Sequence, residues 1–492
     1  MASLIVIAIL LCAFASTESR TSKPSTVVLD VASSLKLTQS VLTIDPRLTP
    51  FSFSKEDQLV DSIGNSSALS LELIPRDTLH NGRHANYKSL LRSRLARDAA
   101  RVQSIYVRLQ LAVEGISKLD LKPLQESDPL FAEKLSSPVI SGSSQGSGEY
   151  FSRIGVGSPA KEFYMVLDTG SDISWLQCQP CSDCYTQADP VFDPKTSSTY
   201  SPLSCSSSEC ASLDVSSCRS GQCVYQVNYG DGSFTFGSFV AETLTFGKSG
   251  SASKIALGCG HDNEGLFVAS AGLLGLGGGT MSLTSQLKAT SFSYCLVNRD
   301  TMSSSTLDFN TLPAGESVLA PLSKSNKLPT FFYVGLTGMA VGGRLLSIPS
   351  SVFQMDESSG GGVIVDCGTA ITRLRTQAYD TLRDAFVELT GDLKSAPGVA
   401  LFDTCYDLSG LSSVRVPTVS FHFADAQTWS LPASNYLIPV DSSGTYCFAF
   451  APTTSSLSII GNVQQQGTRV SFDLANGRVG FALLKRKLLL RI

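Results

Sequence analysis

The sequence predicts an all-β protein whose body is built from two related lobes, and three observations support this fold class. The chain of 492 residues contains 40 glycines and only 16% charged residues, which suits a turn-rich β protein better than a helical one. Short apolar runs separated by Gly and Ser recur along the body, and one six-residue motif occurs twice. With 42% apolar residues and a net charge of −4, the composition excludes a disordered chain and a nucleic-acid binder that depends on bulk positive charge.

The first twenty residues are predicted to be a secretory signal peptide. The apolar run at residues 4–14 is too short to span a bilayer, and Ala13-Phe14-Ala15 fits a small-residue cleavage site. No basic residue precedes the run, so an N-terminal membrane anchor is the alternative. Thirteen cysteines are typical of an oxidising compartment. We therefore expect an extracellular protein, with the endoplasmic reticulum or vacuole as alternatives and no membrane association once the signal is removed.

Residues 21–135 are predicted to be a basic propeptide. Residues 1–135 carry 16 basic and 14 acidic side chains, whereas residues 136–492 carry 22 and 28, so a basic front precedes an acidic body. Apolar residues at helical spacing predict an amphipathic helix: Leu90, Leu91, Leu95, Val102, Ile105 and Leu109. We expect this segment to cover an acidic cleft; a solvated helix without a partner is the alternative. Asn65 is a predicted glycosylation site, and residues 136–148 are a predicted processing linker.

The body beyond residue 149 is predicted to be mostly strands. Residues 163–167, 239–246 and 363–365 are short β-type runs bounded by Gly and Ser. One helix is also expected, with Thr376 as its N-cap and with one apolar face formed by Tyr379, Leu382, Phe386 and Leu389.

The repeated motif is the most informative feature. Residues 166–171 are matched by residues 364–369: two apolar residues, an Asp, a small residue, a Gly and a hydroxyl residue. Each copy is followed downstream by two apolar residues and a Gly, at residues 273–275 and 459–461. The two aspartates, Asp168 and Asp366, lie 198 positions apart, near the length of one lobe. We therefore predict two related lobes that each contribute one Asp to a shared site.

A pair of aspartates has a well-defined chemistry. Two carboxylates a few Å apart both ionise only at high energetic cost, so they share one proton. The ionised member takes a proton from a water that attacks a peptide carbonyl, and the protonated member donates to the carbonyl oxygen. Glycine after each Asp allows a tight turn. The hydroxyls of Ser171 and Thr369 are expected to bond the outer carboxylate oxygens.

The paired motif, its downstream partners and the Tyr-Gly-Asp-Gly-Ser sequence at residues 229–233 resemble the pepsin-type aspartic proteases over residues 149–482. The resemblance implies a bilobal fold, with an N-terminal lobe at 136–318 and a C-terminal lobe at 319–484. Asp168 and Asp366 would be the catalytic dyad. The supporting residues would be Thr169, Gly170, Ser171, Gly368 and Thr369.

The same resemblance implies a monomeric endopeptidase that acts on polypeptide substrates at acidic pH. It would be made as a zymogen whose own propeptide is an intramolecular inhibitor. No cofactor, metal or nucleic-acid partner is expected.

A flap over the cleft is also implied. Tyr229, Gly230 and Asp231 resemble the family's flap, and Trp175 matches the tryptophan that the flap tyrosine hydrogen-bonds. Taken alone, Trp175 would be a core residue and Tyr229 an ordinary hairpin residue. Within the complete pattern we predict that they serve substrate binding.

The cysteine pattern narrows the family. Seven cysteines cluster between the first motif and the flap: Cys178, Cys181, Cys184, Cys205, Cys210, Cys218 and Cys223. They resemble the cysteine-rich insert of nepenthesin-like plant proteases, and residues 366–370 and 458–467 resemble the "aspartic protease in guard cell" proteins. A metal site is the disfavoured alternative, since no His is nearby. The resemblance implies the following pairs, which the sequence alone leaves open: Cys178–Cys181, Cys184–Cys259, Cys205–Cys223, Cys210–Cys218 and Cys405–Cys447.

Two departures from the family pattern stand out. Cys367 replaces a Ser or Thr whose hydroxyl contacts the backbone of the opposite loop, and a thiol is a weaker donor. Thr169 is therefore expected to make the stronger of the two contacts; a redox role for Cys367 is the alternative to a tolerated substitution. Residues 485–492 form a basic, apolar tail where relatives carry a cysteine that pairs with the position of Cys295. Cys295 and Cys367 are thus expected to lie outside the disulfides.

Two other functions compete with the protease. A non-catalytic protein of the same fold that inhibits cell-wall glycanases would be expected to lack a dyad Asp or a flanking hydroxyl, and this sequence keeps them. A DNA-binding plastid protease is disfavoured by the N-terminus and the acidic body. A Ser/His hydrolase is disfavoured because the body has only two histidines, His261 and His422, and no Gly-x-Ser-x-Gly motif.

Overall fold

A computed structural model describes residues 23–43, 68–79, 84–114, 149–229, 233–265, 267, 269–301, 303–312 and 317–483. The predicted signal peptide, the Asn65 glycosylation site, the 136–148 linker and the basic tail lie outside these residues. Gly230 and Asp231 of the predicted flap also lie outside them.

The chain ahead of the body, called the front segment here (the described residues between 23 and 114), is ordered against both lobes. Its elements are β1 (Thr26–Asp30), α1 (Val31–Ser40), β2 (Leu69–Pro75) and α2 (Tyr87–Val113), with 3₁₀ turns at Val41–Thr43 and Arg76–Thr78. The Asn86 side chain caps α2 by accepting a hydrogen bond from the Ser89 amide at 2.9 Å. The predicted amphipathic helix is confirmed within α2, and the six apolar residues that predicted it are all buried.

The N-terminal lobe follows. Its elements are β3 (Tyr150–Val156), β4 (Lys161–Asp168), β5 (Trp175–Gln177), a 3₁₀ turn (Pro194–Thr196), β6 (Ser201–Pro202), α3 (Ser208–Ala211), β7 (Ser216–Arg219), β8 (Gln222–Asn228), β9 (Phe234–Phe246), β10 (Gly250–Glu264), β11 (Gly272–Gly275), α4 (Leu283–Gln286), β12 (Ser291–Cys295) and β13 (Ser305–Phe309). The predicted strands at residues 163–167 and 239–246 lie within β4 and β9.

The C-terminal lobe completes the body. Its elements are β14 (Val318–Ser323), β15 (Tyr333–Val334), β16 (Leu336–Val341), β17 (Arg344–Leu345), a 3₁₀ turn (Ser350–Val352), β18 (Gly362–Val365), β19 (Thr372–Arg375), α5 (Thr376–Glu388), β20 (Ser395–Ala396), β21 (Cys405–Asp407), β22 (Ser413–Pro417), β23 (Val419–Phe423), β24 (Thr428–Ser430), a 3₁₀ turn (Ala433–Asn435), β25 (Leu437–Pro439), β26 (Thr445–Phe448), β27 (Phe450–Thr453), β28 (Leu457–Ile460), α6 (Asn462–Gln465), β29 (Thr468–Asp473) and β30 (Arg478–Leu483).

The one predicted body helix forms, but its predicted cap is wrong. Thr376 is the first residue of α5, and Arg375 precedes it as the N-cap residue without a side-chain capping bond. The Thr376 hydroxyl donates instead to the Thr453 carbonyl at 3.1 Å, because β19 and β27 lie side by side at this point. The predicted apolar face packs into the C-terminal lobe, where Tyr379, Leu382 and Phe386 are buried.

An antiparallel sheet joins the lobes and includes the front segment. Its strand order is β3–β2–β13–β12–β29–β30–β14, so strands of the N-terminal lobe adjoin strands of the C-terminal lobe. β2 lies between β3 and β13 and pairs with both. A strand of the front segment therefore completes the main-chain hydrogen bonding of the body.

The sequence repeat corresponds to a structural repeat. β4 pairs in parallel with β11, which places Asp168 beside Gly275. β18 pairs in parallel with β28, which places Ile364 beside Ile459. In each lobe the strand that leads to the Asp thus adjoins the downstream apolar-apolar-Gly partner. The predicted all-β architecture of two related lobes is confirmed.

Five disulfides form among the described residues, and four of the five expected pairings are wrong. The observed pairs are Cys178–Cys259, Cys181–Cys184, Cys205–Cys218, Cys210–Cys223 and Cys405–Cys447. The expected pairs Cys178–Cys181, Cys184–Cys259, Cys205–Cys223 and Cys210–Cys218 do not form; only Cys405–Cys447 agrees.

Strand pairing and burial explain the difference. β5 runs beside β10 with Leu176 opposite Cys259, and Cys178, two residues beyond Leu176, is therefore within reach of that cysteine. Cys181 and Cys184 are then left together. Cys210 and Cys223 are both buried in one apolar cluster and so pair with each other. Cys295 and Cys367 are buried and take no part in the five disulfides.

Candidate active site

The two predicted catalytic aspartates lie at the ends of equivalent strands. Asp168 is the last residue of β4, and Asp366 directly follows β18. Both are almost fully buried, with exposed fractions of 2% and 1%. The parallel pairing of each strand with its downstream partner supports the two Asp loops in an equivalent way.

The glycines of the two motifs allow these loops to approach. A Cβ atom at Gly170 would lie 3.0 Å from Asp366 Oδ1, and one at Gly368 would lie 2.7 Å from Asp168 Oδ1. Each glycine therefore faces the carboxylate of the opposite lobe, where a side chain would force the loops apart. Neither glycine has a positive φ, so close approach, rather than the expected tight turn, requires glycine here.

The flanking hydroxyls bind the outer carboxylate oxygens, as the motif predicts. Ser171 Oγ donates to Asp168 Oδ2 at 2.6 Å, and Thr369 Oγ1 donates to Asp366 Oδ2 at 2.6 Å. The Gly170 amide adds a bond to Asp168 Oδ1 at 2.9 Å. These bonds fix the orientation of both carboxylates, so that their Oδ1 atoms face the cleft between the loops.

Charge and hydrogen bonding control the ionisation of Asp366. Burial raises the pKa of this carboxyl, but the Arg101 guanidinium and the hydrogen bond from Thr369 outweigh burial and hold the pKa below its usual range. An ionised carboxylate is therefore the form that this environment favours.

Thr169 and Cys367 link the two loops. The Cys367 amide donates to Thr169 Oγ1 at 3.0 Å, and Thr169 Oγ1 contacts Asp366 Oδ1 at 3.2 Å. Cys367 Sγ makes a longer contact of 3.8 Å with the Leu167 carbonyl. Burial and the neighbouring Asp366 carboxylate raise the pKa of the Cys367 thiol, which disfavours the thiolate that redox chemistry needs.

The flap residues that the structure describes are in contact. β8 and β9 form an antiparallel hairpin, and the Tyr229 amide donates to the Ser233 carbonyl at 2.9 Å across its tip. Trp175 is fully buried, and its Nε1 donates to the Tyr229 hydroxyl at 2.8 Å. The Tyr229 ring also packs edge-on against Phe267, with 5.4 Å between the ring centroids. The hairpin therefore presents Tyr229 from a fixed aromatic support.

The cleft is filled by α2. Arg101 Nη2 lies 2.5 Å from Asp168 Oδ1 and 3.4 Å from Asp366 Oδ1, so one guanidinium contacts the inner oxygens of both aspartates. The Arg101 side chain is itself buried. A guanidinium that bridges two carboxylates occupies the place that a water or a substrate carbonyl needs.

Further ion pairs hold α2 against both lobes. On the N-terminal side, Arg94 bonds Asp300 at 2.7 Å and also Asp77 of the front segment itself, and Arg97 bonds Glu149 at 2.8 Å. On the C-terminal side the charges are reversed, because the carboxylate belongs to α2 and the arginine to the lobe. Asp98 accepts from Arg373 at 2.6 Å and from the Ala370 amide at 2.6 Å. All of these groups are buried.

Apolar contacts supplement these charges. Leu90, Leu91 and Leu95 pack against the C-terminal lobe near the Cys405–Cys447 disulfide. Val102, Ile105 and Leu109 pack with residues that include Phe331 and Ile459. The guanidinium of Arg108 lies 5.2 Å from the centroid of the Phe331 ring.

Sequence reasoning found the dyad and its hydroxyls but missed the residues that meet α2. Arg101, Asp300 and Glu149 carry no motif, and the only signal was the excess of basic residues in the front segment. Within the described ranges, no group of three or more His, Cys, Asp or Glu side chains could hold a metal ion. No helix in the described part of the chain is long and apolar enough to cross a membrane.

Comparison with known protein families gives two matches that together span both lobes. Residues 150–309 match a model described as xylanase inhibitor N-terminal, and residues 331–483 match one described as xylanase inhibitor C-terminal. Both matches begin after the front segment.

Individual relatives are plant aspartic proteases. The chain is 49% identical to Protein ASPARTIC PROTEASE IN GUARD CELL 2 of Arabidopsis thaliana, over 85% of this chain and 87% of that protein. It is 51% identical to Aspartyl protease family protein 2 of the same plant, over 89% and 91%. It is 40% identical to Aspartic proteinase nepenthesin-1 of Nepenthes gracilis, over 68% and 78%. Among solved structures, "Crystal structure of edgp" matches with a TM-score of 0.57 and 19% identity, over 68% of this chain and 91% of that one.

Proposed function

The chain belongs to the pepsin-like aspartic proteases, in the plant group that includes nepenthesin, and on this premise we propose that it is a secreted aspartic endopeptidase made as a zymogen. The observation that supports the proposal most strongly is the pair of buried carboxylates with matched hydroxyl partners. Asp168 and Asp366 face each other from equivalent strand ends, and Ser171 and Thr369 orient them. The enzyme would be a monomer of the secretory pathway or apoplast that acts on polypeptides and is glycosylated at Asn65.

The geometry suits hydrolysis by an activated water. A water between the two Oδ1 atoms would lose a proton to the ionised carboxylate as its oxygen attacks the peptide carbonyl carbon. The protonated carboxyl would donate to the carbonyl oxygen, and the amide nitrogen would leave after accepting a proton. The flap tyrosine, held by Trp175, would close over the bound peptide. The products are one carboxylic acid and one amine, so one water is consumed for each bond.

The same geometry suits inhibition by the front segment. Arg101 Nη2 contacts both inner oxygens, so the attacking water and α2 would compete for one position. In this proposal the chain is inactive until α2 leaves the cleft. The front segment would therefore act as the intramolecular inhibitor of the enzyme through α2.

Acid would release the inhibitor. The pKa of Asp366 and that of Asp77 are both held below the usual 3.8: burial raises each, and the arginines of α2 lower it by a larger amount. A carboxyl whose pKa is lowered in the closed state stabilises that state at pH values above its ordinary pKa. That stabilisation is lost as the pH falls through the lowered value. The closed form would therefore persist at neutral pH and open below about pH 4.

The test is proteolysis of a denatured protein by the full chain before and after acid treatment. We expect activity only after acid, and we expect pepstatin to abolish it. Asp168→Asn and Asp366→Asn should each remove the activity, whereas Asp384→Asn, at an exposed carboxylate on α5, should retain it. Undiminished activity in Asp168→Asn would refute the protease proposal.

A second candidate function has one observation in its favour. The family models that match both lobes are named for xylanase inhibitors, so a non-catalytic pepsin-fold protein that binds a glycanase is the alternative. The intact dyad favours the protease. The same proteolysis assay distinguishes the two candidate functions, because an inhibitor would release no peptides at any pH. A xylanase assay gives the complementary result, since an inhibitor would reduce the activity of that enzyme.

A further inference from the structure

The first part of the front segment, residues 23–43, is called the N-terminal arm here. It precedes α2 in the chain and is bound to the body by contacts of a different kind from those of α2. β1 pairs antiparallel with β22 along its whole length, from Thr26 opposite Pro417 to Asp30 opposite Ser413. The pairing continues beyond the strand, since the Ser25 amide donates to the Gly342 carbonyl at 2.8 Å. The arm thus adds a complete strand to the C-terminal lobe.

The helix of the arm is seated in the same lobe. The Asp30 side chain caps α1 by accepting from the Ser33 amide at 2.9 Å. Leu29, Val31 and Val41 are buried. The Tyr446 hydroxyl donates to the Val31 carbonyl at 3.1 Å. The arm is therefore packed into the lobe through both its strand and its helix.

The body needs the arm at this position. Among the described residues, β22 pairs with no strand other than β1. Removing the arm would leave the amides and carbonyls of β22 unpaired by any strand and would uncover the apolar residues beneath Leu29 and Val31, which include Val416. An open strand edge beside apolar side chains favours association with other chains.

The forces at the arm differ from those at α2. The arm is held by main-chain hydrogen bonds, hydroxyl hydrogen bonds and apolar packing, none of which requires an ionised carboxylate. The titratable and charged groups around the arm are Lys23, Asp30, Lys36, Arg344, Glu388, Arg415, Asp441 and Tyr446, together with Tyr87, Arg299 and Asp300, which also adjoin α2. Asp30 caps its own helix, and Asp441 accepts amides of its own loop.

The groups around α2 are of another kind. They are His84, Tyr87, Arg94, Arg97, Asp98, Arg101, Tyr106 and Arg108 on α2 or just before it, and Arg76, Asp77, Glu149, Asp168, Asp172, Tyr229, Arg299, Asp300, Asp366 and Arg373 around it. Most of the hydrogen bonds that hold α2 join an arginine to a carboxylate. Acid removes such bonds and leaves those of the arm intact.

We infer that the N-terminal arm stays bound to the C-terminal lobe after α2 has left, so that the active enzyme consists of two non-covalently associated chains. The inference rests on the proposed function, because it assumes that α2 is released by acid and that hydrolysis severs the chain on either side of it. Each cut adds one water across a peptide bond and yields a carboxylate and an amine. The arm would then be a permanent part of the enzyme and not of the inhibitor.

The experiment cuts the full chain without relying on its own activity. Recognition sites for an added sequence-specific protease are inserted within residues 44–67, within residues 80–83 and within residues 115–148 of the Asp168→Asn chain, so that α2 is separated from β2, which is paired with β3 and β13. After cleavage at pH 7, gel filtration at pH 7 and at pH 3 followed by mass spectrometry identifies which fragments elute together. We expect the arm to elute with the body in equimolar amount at both pH values, and the fragment that contains α2 to separate at pH 3. Elution of the arm as a free peptide at pH 3 would overturn the inference.

The same experiment separates this inference from the proposed function. If the α2 fragment stays bound at pH 3, the proposed release by acid is refuted, whereas the elution of the arm still tests the present inference. Two variants then test the contact itself at pH 7. Leu29, which is 2% exposed, is changed to Asp, and its neighbour Val28, which is 51% exposed, is changed to Asp as the matched control.

We expect Leu29→Asp to reduce the co-eluting arm at least tenfold and Val28→Asp to leave it unchanged. Equal retention in the two variants would contradict the seating of the arm described above. If the Leu29→Asp chain does not fold, Leu29→Ala and Val28→Ala provide the same comparison with a smaller expected loss.

Discussion

Two parts of one front segment are attached to the body by opposite means. The N-terminal arm is attached by a five-residue strand pairing and apolar packing, and α2 is attached through buried ion pairs to carboxylates of both lobes. Buried ion pairs depend on the protonation state of both partners, whereas strand pairing does not. The difference between the two regions indicates that the position of charge along the front segment decides which of its contacts with the body acid would weaken.

The largest effect is expected at Arg101, where one cation contacts both candidate catalytic carboxylates, Asp168 and Asp366. Arg101→Ala should weaken closure by about 3–5 kcal/mol, the usual loss when one partner of a buried ion pair is removed. The uncut chain should then be active at pH values where the native chain is inhibited. Activity of the uncut chain across pH 3–7 measures this change.

Arg101→Lys is the matched control for that variant. It keeps a positive charge but lacks the planar guanidinium, so its activity profile should fall between those of the native chain and Arg101→Ala. A profile for Arg101→Ala that coincides with the native one would show that the ion pair does not hold α2.

A second prediction concerns the arm. Leu29→Ala removes buried apolar atoms and should lower the free energy of unfolding by about 2–5 kcal/mol, as buried leucine-to-alanine changes do. It should leave the pH of activation unchanged, because no group that titrates at the cleft is altered. Thermal unfolding and activation pH are measured on the same preparation.

Val28→Ala serves as the control for the arm, because Val28 lies on the exposed side of the same strand. It should change the unfolding free energy by less than about 0.5 kcal/mol. A shift in activation pH in Leu29→Ala would contradict the statement that the arm and α2 are attached to the body independently.

A smaller effect is expected at Asp300, which binds Arg94 at a distance from the dyad. Asp300→Asn removes one ion pair while Asp77 still faces the guanidinium, so closure should weaken by about 1–3 kcal/mol. Activation should move to a higher pH, in the same direction as in Arg101→Ala but less far. Asp403→Asn, which breaks an ion pair with Arg383 on α5, should not move it.

The smallest effect is expected at Cys367, which lies in the cleft but carries no charge. Its amide bonds Thr169 Oγ1, and its thiol makes two long contacts, with Thr169 Oγ1 at 3.5 Å and with the Leu167 carbonyl at 3.8 Å. Cys367→Ser should therefore retain or slightly raise kcat and leave the activation pH unchanged. A large loss of kcat, measured on the acid-treated chain, would show that the thiol itself is needed.

Much of the geometry of the candidate site could be predicted from the sequence because its signals are local. Asp168 and Asp366 each lie in a motif of six residues, and the strand before each Asp and the hydroxyl after it are neighbours in the chain. The amphipathic pattern of α2 was equally local. These features require no knowledge of what lies across the fold.

The features that could not be predicted are contacts between residues that lie far apart in the chain. Nothing near Arg101 in the chain indicates that it bridges both aspartates, since Arg92, Arg94 and Arg97 stand in a similar sequence context. β1 is a short run whose partner, β22, lies almost 400 residues away. The cysteine pairings were wrong for the same reason, because the parallel pairing of β5 with β10 decides that Cys178 meets Cys259.

The most direct test of the contrast between arm and cleft helix is hydrogen exchange after a pH jump. The native full chain is labelled for seconds after transfer from pH 7 to pH values between 5 and 3, before cleavage proceeds, and rates are corrected for the intrinsic effect of pH on exchange. The account predicts that amides of residues 87–113 lose protection as the pH falls below about 4, while amides of residues 26–40 keep theirs. Loss of protection in both regions at one pH, or retained protection of residues 87–113 at pH 3, would contradict it.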